Sequence, residues 1–383
     1  MSPEARAAPI PHYWRLSSFY LCYFALLGTL VPYWGLYLQD AGFAAAQIGL
    51  LMAIPQITKL GAPNLWGWLA DRTGQRLRII RAGNLLAALA FTGVFFVEGF
   101  WAMVLVLAGF SFFWNAVLAQ FEVITLETLG ERSHRYSQVR LWGSVGFIVA
   151  VLLVGVLLDR APVSLLPWLL WATLWLIWLC TLGLPGGVVR RPVRRAGGLM
   201  ALVRQPGVPA FFACAFMMQL SHGPYYTFYT IHLVEMGLSR TLAGTLWALG
   251  VVAEVGVFLV MHWLLVRAPL KGILVASLLL ASLRWLIIGT VGDNLIWLVL
   301  AQLLHAASFG SFHAAAMAWL HRTFAGAHAG QGQALYSSFG FGAGWAVGAS
   351  LSGMLWAAFG ADSFLLAAAV ALAASALAWW RLR

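Results

Sequence analysis

The feature that most restricts this chain is a rhythm. Apolar segments follow one another from near residue 16 to residue 380, separated by short polar turns. They fall at residues 16–38, 45–67, 77–97, 100–128, 138–158 and 164–184, and then at 208–235, 242–266, 271–291, 294–320, 333–359 and 362–380. A helix of about 20 mostly apolar residues is long enough to cross a bilayer. Charged residues make up only 9% of the chain and hydrophobic ones 62%, where a soluble protein carries roughly 25% charged residues. No water-soluble core hides that much apolar surface, so the solvent is largely lipid. In lipid each segment must satisfy its own backbone hydrogen bonds as a helix. The expected fold class is an all-α membrane protein with twelve transmembrane helices. Residues 1–15 lack the pattern of a cleaved signal peptide, and the first apolar segment is expected to remain as a helix.

The basic residues are not spread evenly. Arg6 and Arg15 precede the first segment, and Arg72, Arg76, Arg78 and Arg81 follow the second. Arg132 and Arg135 follow the fourth, and five arginines from Arg190 to Arg204 follow the sixth. Arg267, Lys271, Arg322, Arg381 and Arg383 continue the alternation. The intervening loops hold Arg160 and Arg240 beside Asp40, Glu98, Asp159, Glu235, Asp293 and Asp362. Eighteen basic residues against two put both termini in the cytoplasm and require an even number of spans. The net charge of +11 is thereby read as a topology signal, and no nucleic-acid partner is expected. The partners expected are the lipid bilayer, a small-molecule substrate and a proton, with the chain monomeric.

The stretch from Pro185 to Pro209 is the long basic break. It divides the chain into an N-terminal six-helix bundle (residues 1–184), a cytoplasmic linker (185–207) and a C-terminal six-helix bundle (208–383). Two such halves around a shared cavity is a transporter arrangement, with the solute near the bilayer midplane. Cys22, Cys180 and Cys214 lie in separate apolar segments without metal-ligand spacing and read as packing residues. No cofactor, metal site or catalytic residue is expected.

Between the second and third segments runs GWLADRTGQR, residues 67–76. Gly67 permits close helix packing, and Gly74 permits a tight turn. Asp71 is placed to pair with a nearby arginine, and Arg72 and Arg76 hold the loop at the cytoplasmic face. This pattern resembles the signature loop of the major facilitator superfamily, which implies the major facilitator fold and a gating role for Gly67, Asp71, Arg72, Gly74 and Arg76.

Ionisable residues deep in apolar segments are costly, about 2.5–3.5 kcal/mol each on insertion scales, and they persist where they face a partner or a wet cavity. In the first half these are Lys59, Glu122 and Arg140, with Asn115 seven residues before Glu122; Glu127 lies nearer the basic turn. In the second half they are His222, Glu254, Arg284, His305 and His313, with Tyr225, Tyr226 and Tyr229 beside His222. Glu254 and Arg284 are placed to neutralise one another across helices.

The spacing from Asn115 to Glu122, followed by RLWGSVGF at 140–147, resembles the fourth and fifth helices of the lactose permease group. There the matching Glu and Arg form a pair essential for sugar binding. The resemblance runs the full chain and is closer to the phenylpropionate permease-like branch, in FWNAVLAQFE, LSHGPYYTFYTIHL and LLHAASFGSFHAAA. It implies substrate binding by Asn115, Glu122, Arg140, Arg284 and His305, and the seventh segment itself offers His222 and Tyr226 to line a cavity mouth. It also implies proton coupling through Glu254, Glu122 or His305, and residence in a bacterial inner membrane. One departure stands out. Where the lactose permease group carries its proton-bearing Glu, three residues after His305, this chain has Ser308.

The expected function is therefore a proton-coupled secondary transporter working by alternating access, carrying an aromatic carboxylate such as 3-phenylpropionate, with a sugar or nucleoside as the alternative. No phosphate-binding loop of Walker type occurs. A membrane enzyme with His305, His313 and Glu254 on a metal, or a sensor that transports nothing, are the rival classes.

Overall fold

A computed structural model of the chain describes residues 10–186 and 198–382, and every regular element among them is helical. Most of the basic linker expected at 185–207, including Arg190, Arg191, Arg194 and Arg195, lies outside the described residues, as do Arg6 and Arg383.

The helices start and stop where the sequence supplies the chemistry. Pro167, Pro209 and Pro224 occupy the first turns of Leu166–Leu182, Val208–Ser221 and Gly223–Glu235, where a missing N–H costs nothing. Ser239 caps Arg240–Arg267 by accepting from the Leu242 N–H at 3.1 Å, and Asn294 caps Leu295–His305 by accepting from the Ile296 N–H at 2.9 Å. Such caps satisfy backbone donors that the helix itself leaves unpaired. Ala45–Thr73 continues as one helix through Pro55 and Pro63.

Eight helical stretches among the described residues are long and apolar enough to cross a bilayer, two of them, Phe100–Arg160 and Ala329–Arg381, spanning more than one helix. Ala45–Thr73, with Lys59 inside it and Asp71 and Arg72 at its end, is not among them. Nor is the run 208–235, which His222 divides into two shorter helices. Large apolar side chains lie open at the surface, as lipid allows: Val266 is 84% exposed, Trp101 77% and Leu259 72%.

The described chain falls into two compact units. One runs to Tyr37 and resumes at Thr58 up to the linker; the other holds Leu38–Ile57 together with the residues beyond the linker. The helix Ala45–Thr73 is thus shared, its beginning in one unit and its end in the other. Within each unit, glycines bring helix backbones together. Gly146 lies against the backbone of Leu21, and Gly28 against that of Phe147. In the other unit, a Cβ on Gly353 would stand 2.6 Å from the Ala45 carbonyl oxygen, and one on Gly49 would stand 2.6 Å from that of Ala349. Small residues are how membrane helices gain van der Waals contact when lipid removes the hydrophobic drive to associate.

Candidate functional site

Each unit buries one polar cluster, and each cluster gathers at a break in a helix. In the first unit the break is Asn115–Ala116, between Phe100–Trp114 and Val117–Leu129. Asn115 donates from Nδ2 to the Thr58 hydroxyl at 3.0 Å, and Thr58 donates to the Ser111 hydroxyl at 2.9 Å. Two turns on, half-buried Glu122 accepts from the Tyr136 hydroxyl at 3.4 Å, and Tyr136 lies 3.3 Å from the Tyr20 hydroxyl. Arg140 does not close on Glu122 as an ion pair. Its guanidinium lies flat over Phe24, 3.9 Å from the ring centre, and within 5.5 Å of the Tyr20 ring. Arg140 and then Lys59 are the cations whose field reaches Glu122. Gly143 makes room for this arrangement, because a Cβ there would meet the Arg140 guanidinium and the Phe24 ring. Asn115, Lys59, Glu122 and Arg140 thus share one neighbourhood, linked by hydroxyls and aromatic faces.

The second unit holds the tighter cluster. Arg284 has no exposed surface. Its Nε donates to the Ala301 carbonyl at 3.0 Å, one terminal nitrogen donates to His305 Nδ1 at 2.9 Å, and the other reaches Gln302 Oε1 at 3.4 Å. Gln302 also accepts from the Tyr225 hydroxyl at 2.9 Å and donates to the Tyr229 oxygen at 2.7 Å. The guanidinium is stacked between Tyr225 and Trp285, 4.1 and 4.4 Å from the ring centres. Every one of these partners is neutral. Glu254 packs over Gly310, its Cγ 3.1 Å from where a Cβ on that glycine would lie. Ser308, fully buried, turns its hydroxyl back onto the Leu304 carbonyl at 2.8 Å.

The two histidines of this cluster both sit at helix irregularities. His222 separates Val208–Ser221 from Gly223–Glu235, and His305 precedes a π-helical turn, Ala306–Gly310. Such turns widen the helix and are frequent at functional positions. The rings of His222 and His305 are 6.2 Å apart, and Tyr226 stacks on Trp345 at 4.3 Å. His313 belongs elsewhere, beside the Tyr336 hydroxyl at 3.3 Å. Among the described residues no group of His, Cys, Asp and Glu is arranged to hold a metal.

Sequence reading passed over Gln302 and Trp285. Gln302 had a signal: it is a polar residue one helical turn before His305, on the same face of an apolar helix. Trp285 had none, because a tryptophan among twenty is ordinarily a packing residue.

The signature turn is built as a brace. Gly74 adopts φ +67°, a left-handed conformation that glycine takes without strain. That turn brings Asp71 to Arg76, paired at 2.8 Å, and Arg76 also donates to buried Gln120 on the fourth apolar segment. Gly67 faces the same glutamine, its Cβ position 3.4 Å from the amide nitrogen. Arg72 lies over the Trp68 ring at 5.3 Å.

A family model described as MFS_1 like family matches residues 13–367. A probable 3-phenylpropionic acid transporter of Escherichia coli (strain K12) is 30% identical over 376 residues, covering 93% of this chain and 94% of the relative. A maltose permease of Geobacillus stearothermophilus is 28% identical, covering 85% and 83%. Among solved structures, a nucleoside transporter, NupG, superposes with a TM-score of 0.83 at 18% identity, covering 96% of this chain and 98% of that one; at that identity the likeness is one of fold.

Proposed function

The chain belongs to the MFS_1 like family and is a multi-pass membrane transporter; from that premise we propose a proton-coupled symporter of a small organic carboxylate, with an aromatic acid such as 3-phenylpropionate as the leading solute. The observation that carries this reading is Arg284. A buried guanidinium held by a carbonyl, an imidazole, an amide and two aromatic faces keeps a charged, forked donor inside the helices. That fork suits the geometry of a solute carboxylate. The aromatic faces around Tyr226, Trp345 and Phe309 suit a ring. The name of the relative in Escherichia coli supports the same solute class.

The rest of the proposal follows the charge pattern. Twelve spans in two bundles of six, with both termini cytoplasmic, accord with the alternation of basic loops. Asn115, Glu122 and Arg140 are the solute-binding groups proposed for the first unit, and Glu254, Glu122 and His305 are the proton-handling groups the sequence offers. Gly67, Asp71, Arg72, Gly74 and Arg76 act as the gating brace. A sugar or nucleoside is the second reading, favoured by the neutral hydrogen-bonding chain Asn115–Thr58–Ser111 and by the names of the maltose and nucleoside relatives.

The test is uptake into proteoliposomes with an alkaline interior, with labelled 3-phenylpropionate, maltose and uridine compared. Because the neutral acid crosses lipid unaided, uptake is read above protein-free liposomes. Accumulation of the acid that a protonophore abolishes supports the proposal. Accumulation of the sugar or nucleoside, with no excess for the acid, refutes it.

A further inference from the structure

His222 and His305 are held in opposite hydrogen-bonding states, and the difference bears on how a carboxylate binds. His305 Nδ1 lies 2.9 Å from an Arg284 nitrogen. A guanidinium only donates, so this nitrogen is bare and the ring proton of neutral His305 sits on Nε2. His222 Nδ1 lies 2.7 Å from the Met218 carbonyl oxygen. A carbonyl only accepts, so here Nδ1 carries the proton and Nε2 is bare. That bare nitrogen belongs to a side chain with no exposed surface, and it has no hydrogen-bond partner. A donor and an unpartnered acceptor therefore stand on two rings 6.2 Å apart, and half-buried Phe309 lies against both, at 5.2 and 5.5 Å.

We infer that His222 takes up one proton as the solute carboxylate binds between it and His305, so that the solute and the proton are carried together. The inference rests on the carboxylate reading above and reassigns to His222 the proton that the sequence shared among Glu254, Glu122 and His305. The physical reason is a lone pair facing an anion. A carboxylate oxygen accepts from His305 Nε2–H without difficulty, but it repels the bare Nε2 of His222. A proton between them turns repulsion into a charge-assisted hydrogen bond. The step balances: a proton from water on the side of entry forms an N–H bond at His222 Nε2, no solute bond breaks, and on release that N–H bond breaks and the proton returns to water. The groups facing His222 fit this order of events. Arg284 is the cation whose field reaches the ring, His305 and Tyr226 flank it, and Trp285 closes it edge-on at 4.8 Å. Glu254, whose field reaches Tyr225 and Tyr226, is the acid of this neighbourhood. With Arg284 close by, His222 gains a proton only when an anion accompanies it. Ser308 leaves the tenth apolar segment without an acid of its own at this position.

The test uses the purified full chain in detergent and 3-phenylpropionate as probe. Titration calorimetry at one pH, in buffers of different ionisation heat, counts protons taken up per solute bound. About one is expected, with affinity falling about tenfold per pH unit above neutrality. His222→Gln presents an amide N–H that needs no added proton, so the protons taken up per solute bound are expected to fall from about one to near zero and the pH dependence of binding to flatten. A second readout needs no variant: in the 15N-histidine spectrum of the wild type, one bare Nε2 is expected to become protonated on adding the probe. Wild-type binding without proton uptake, an unchanged histidine spectrum, or uptake that survives His222→Gln but vanishes in Glu254→Gln each overturns the inference while leaving the carboxylate reading intact. Wild type that binds no 3-phenylpropionate at any pH refutes the carboxylate reading, and the inference falls with it.

Discussion

Replacing Gln302 by Glu puts an anion where the structure has an amide, with almost no change of shape. Gln302 Oε1 already lies 3.4 Å from an Arg284 nitrogen and accepts from Tyr225. Tyr229, which now accepts from the Gln302 amide at 2.7 Å, has only to turn its hydroxyl hydrogen to donate instead. Two unit charges 3.4 Å apart attract by about 5 kcal/mol at an effective dielectric of ~20. Burying the new carboxylate costs several kcal/mol in return, so folding stability is expected to shift by no more than about 2 kcal/mol in either direction. Solute binding is another matter. If Arg284 awaits a carboxylate, the variant has already supplied one, and a second anion meets a neutralised guanidinium beside a like charge. Affinity for 3-phenylpropionate is expected to fall at least about tenfold, ~1.4 kcal/mol, while a neutral sugar or nucleoside changes little. Ligand-dependent thermal shift, calibrated by calorimetry, measures both, because stabilisation follows occupancy. A Gln302→Glu variant that folds and binds the acid as tightly as wild type would show that Arg284 does not hold the solute's charge.

Three further perturbations test other parts of the structure. Gly353→Val forces side-chain atoms into a space where even a Cβ stands 2.6 Å from the Ala45 carbonyl oxygen; a loss of about 1–3 kcal/mol is expected from overpacking, read as a lowered unfolding temperature, and an unchanged one would refute the close approach. Asp71→Asn breaks the 2.8 Å pair with Arg76, but with Asp71 50% exposed the stability cost is expected to stay below about 1 kcal/mol while solute exchange slows; a variant with wild-type exchange rate would remove the turn from gating. Phe24→Leu removes the face on which the Arg140 guanidinium rests at 3.9 Å, worth about 0.5–2 kcal/mol. Phe24→Tyr should retain that stability in thermal unfolding, and equal losses in the two variants would argue for packing alone.

Much of the molecule was legible in the order of its residues. Apolar length dictates helices, because lipid offers the backbone no other partner. Asp71, Gly74 and Arg76 announced a turn and a pair, since both depend on neighbours a few residues apart. The ionisable side chains at Lys59, Glu122, Arg140, His222, Arg284 and His305 announced buried polarity, since nothing else holds them in apolar segments. What sequence could not say is which of them meet. Glu254 and Arg284 are opposite charges in successive apolar segments, and sequence does not show that Arg284 turns to Gln302, His305 and two aromatic rings. Glu122 and Arg140 are neighbours joined through Tyr136 and Tyr20 instead of a direct pair. Nor does sequence show that Ala45–Thr73 divides its length between two units, or that the tautomers of His222 and His305 are opposed. Those outcomes depend on helix rotation and on backbone groups from distant segments, the Ala301 carbonyl for Arg284 and the packing of Glu254 over Gly310. Secondary structure here is set by each segment's own dealings with lipid, whereas partnership is decided by three-dimensional packing among helices that share no local pattern.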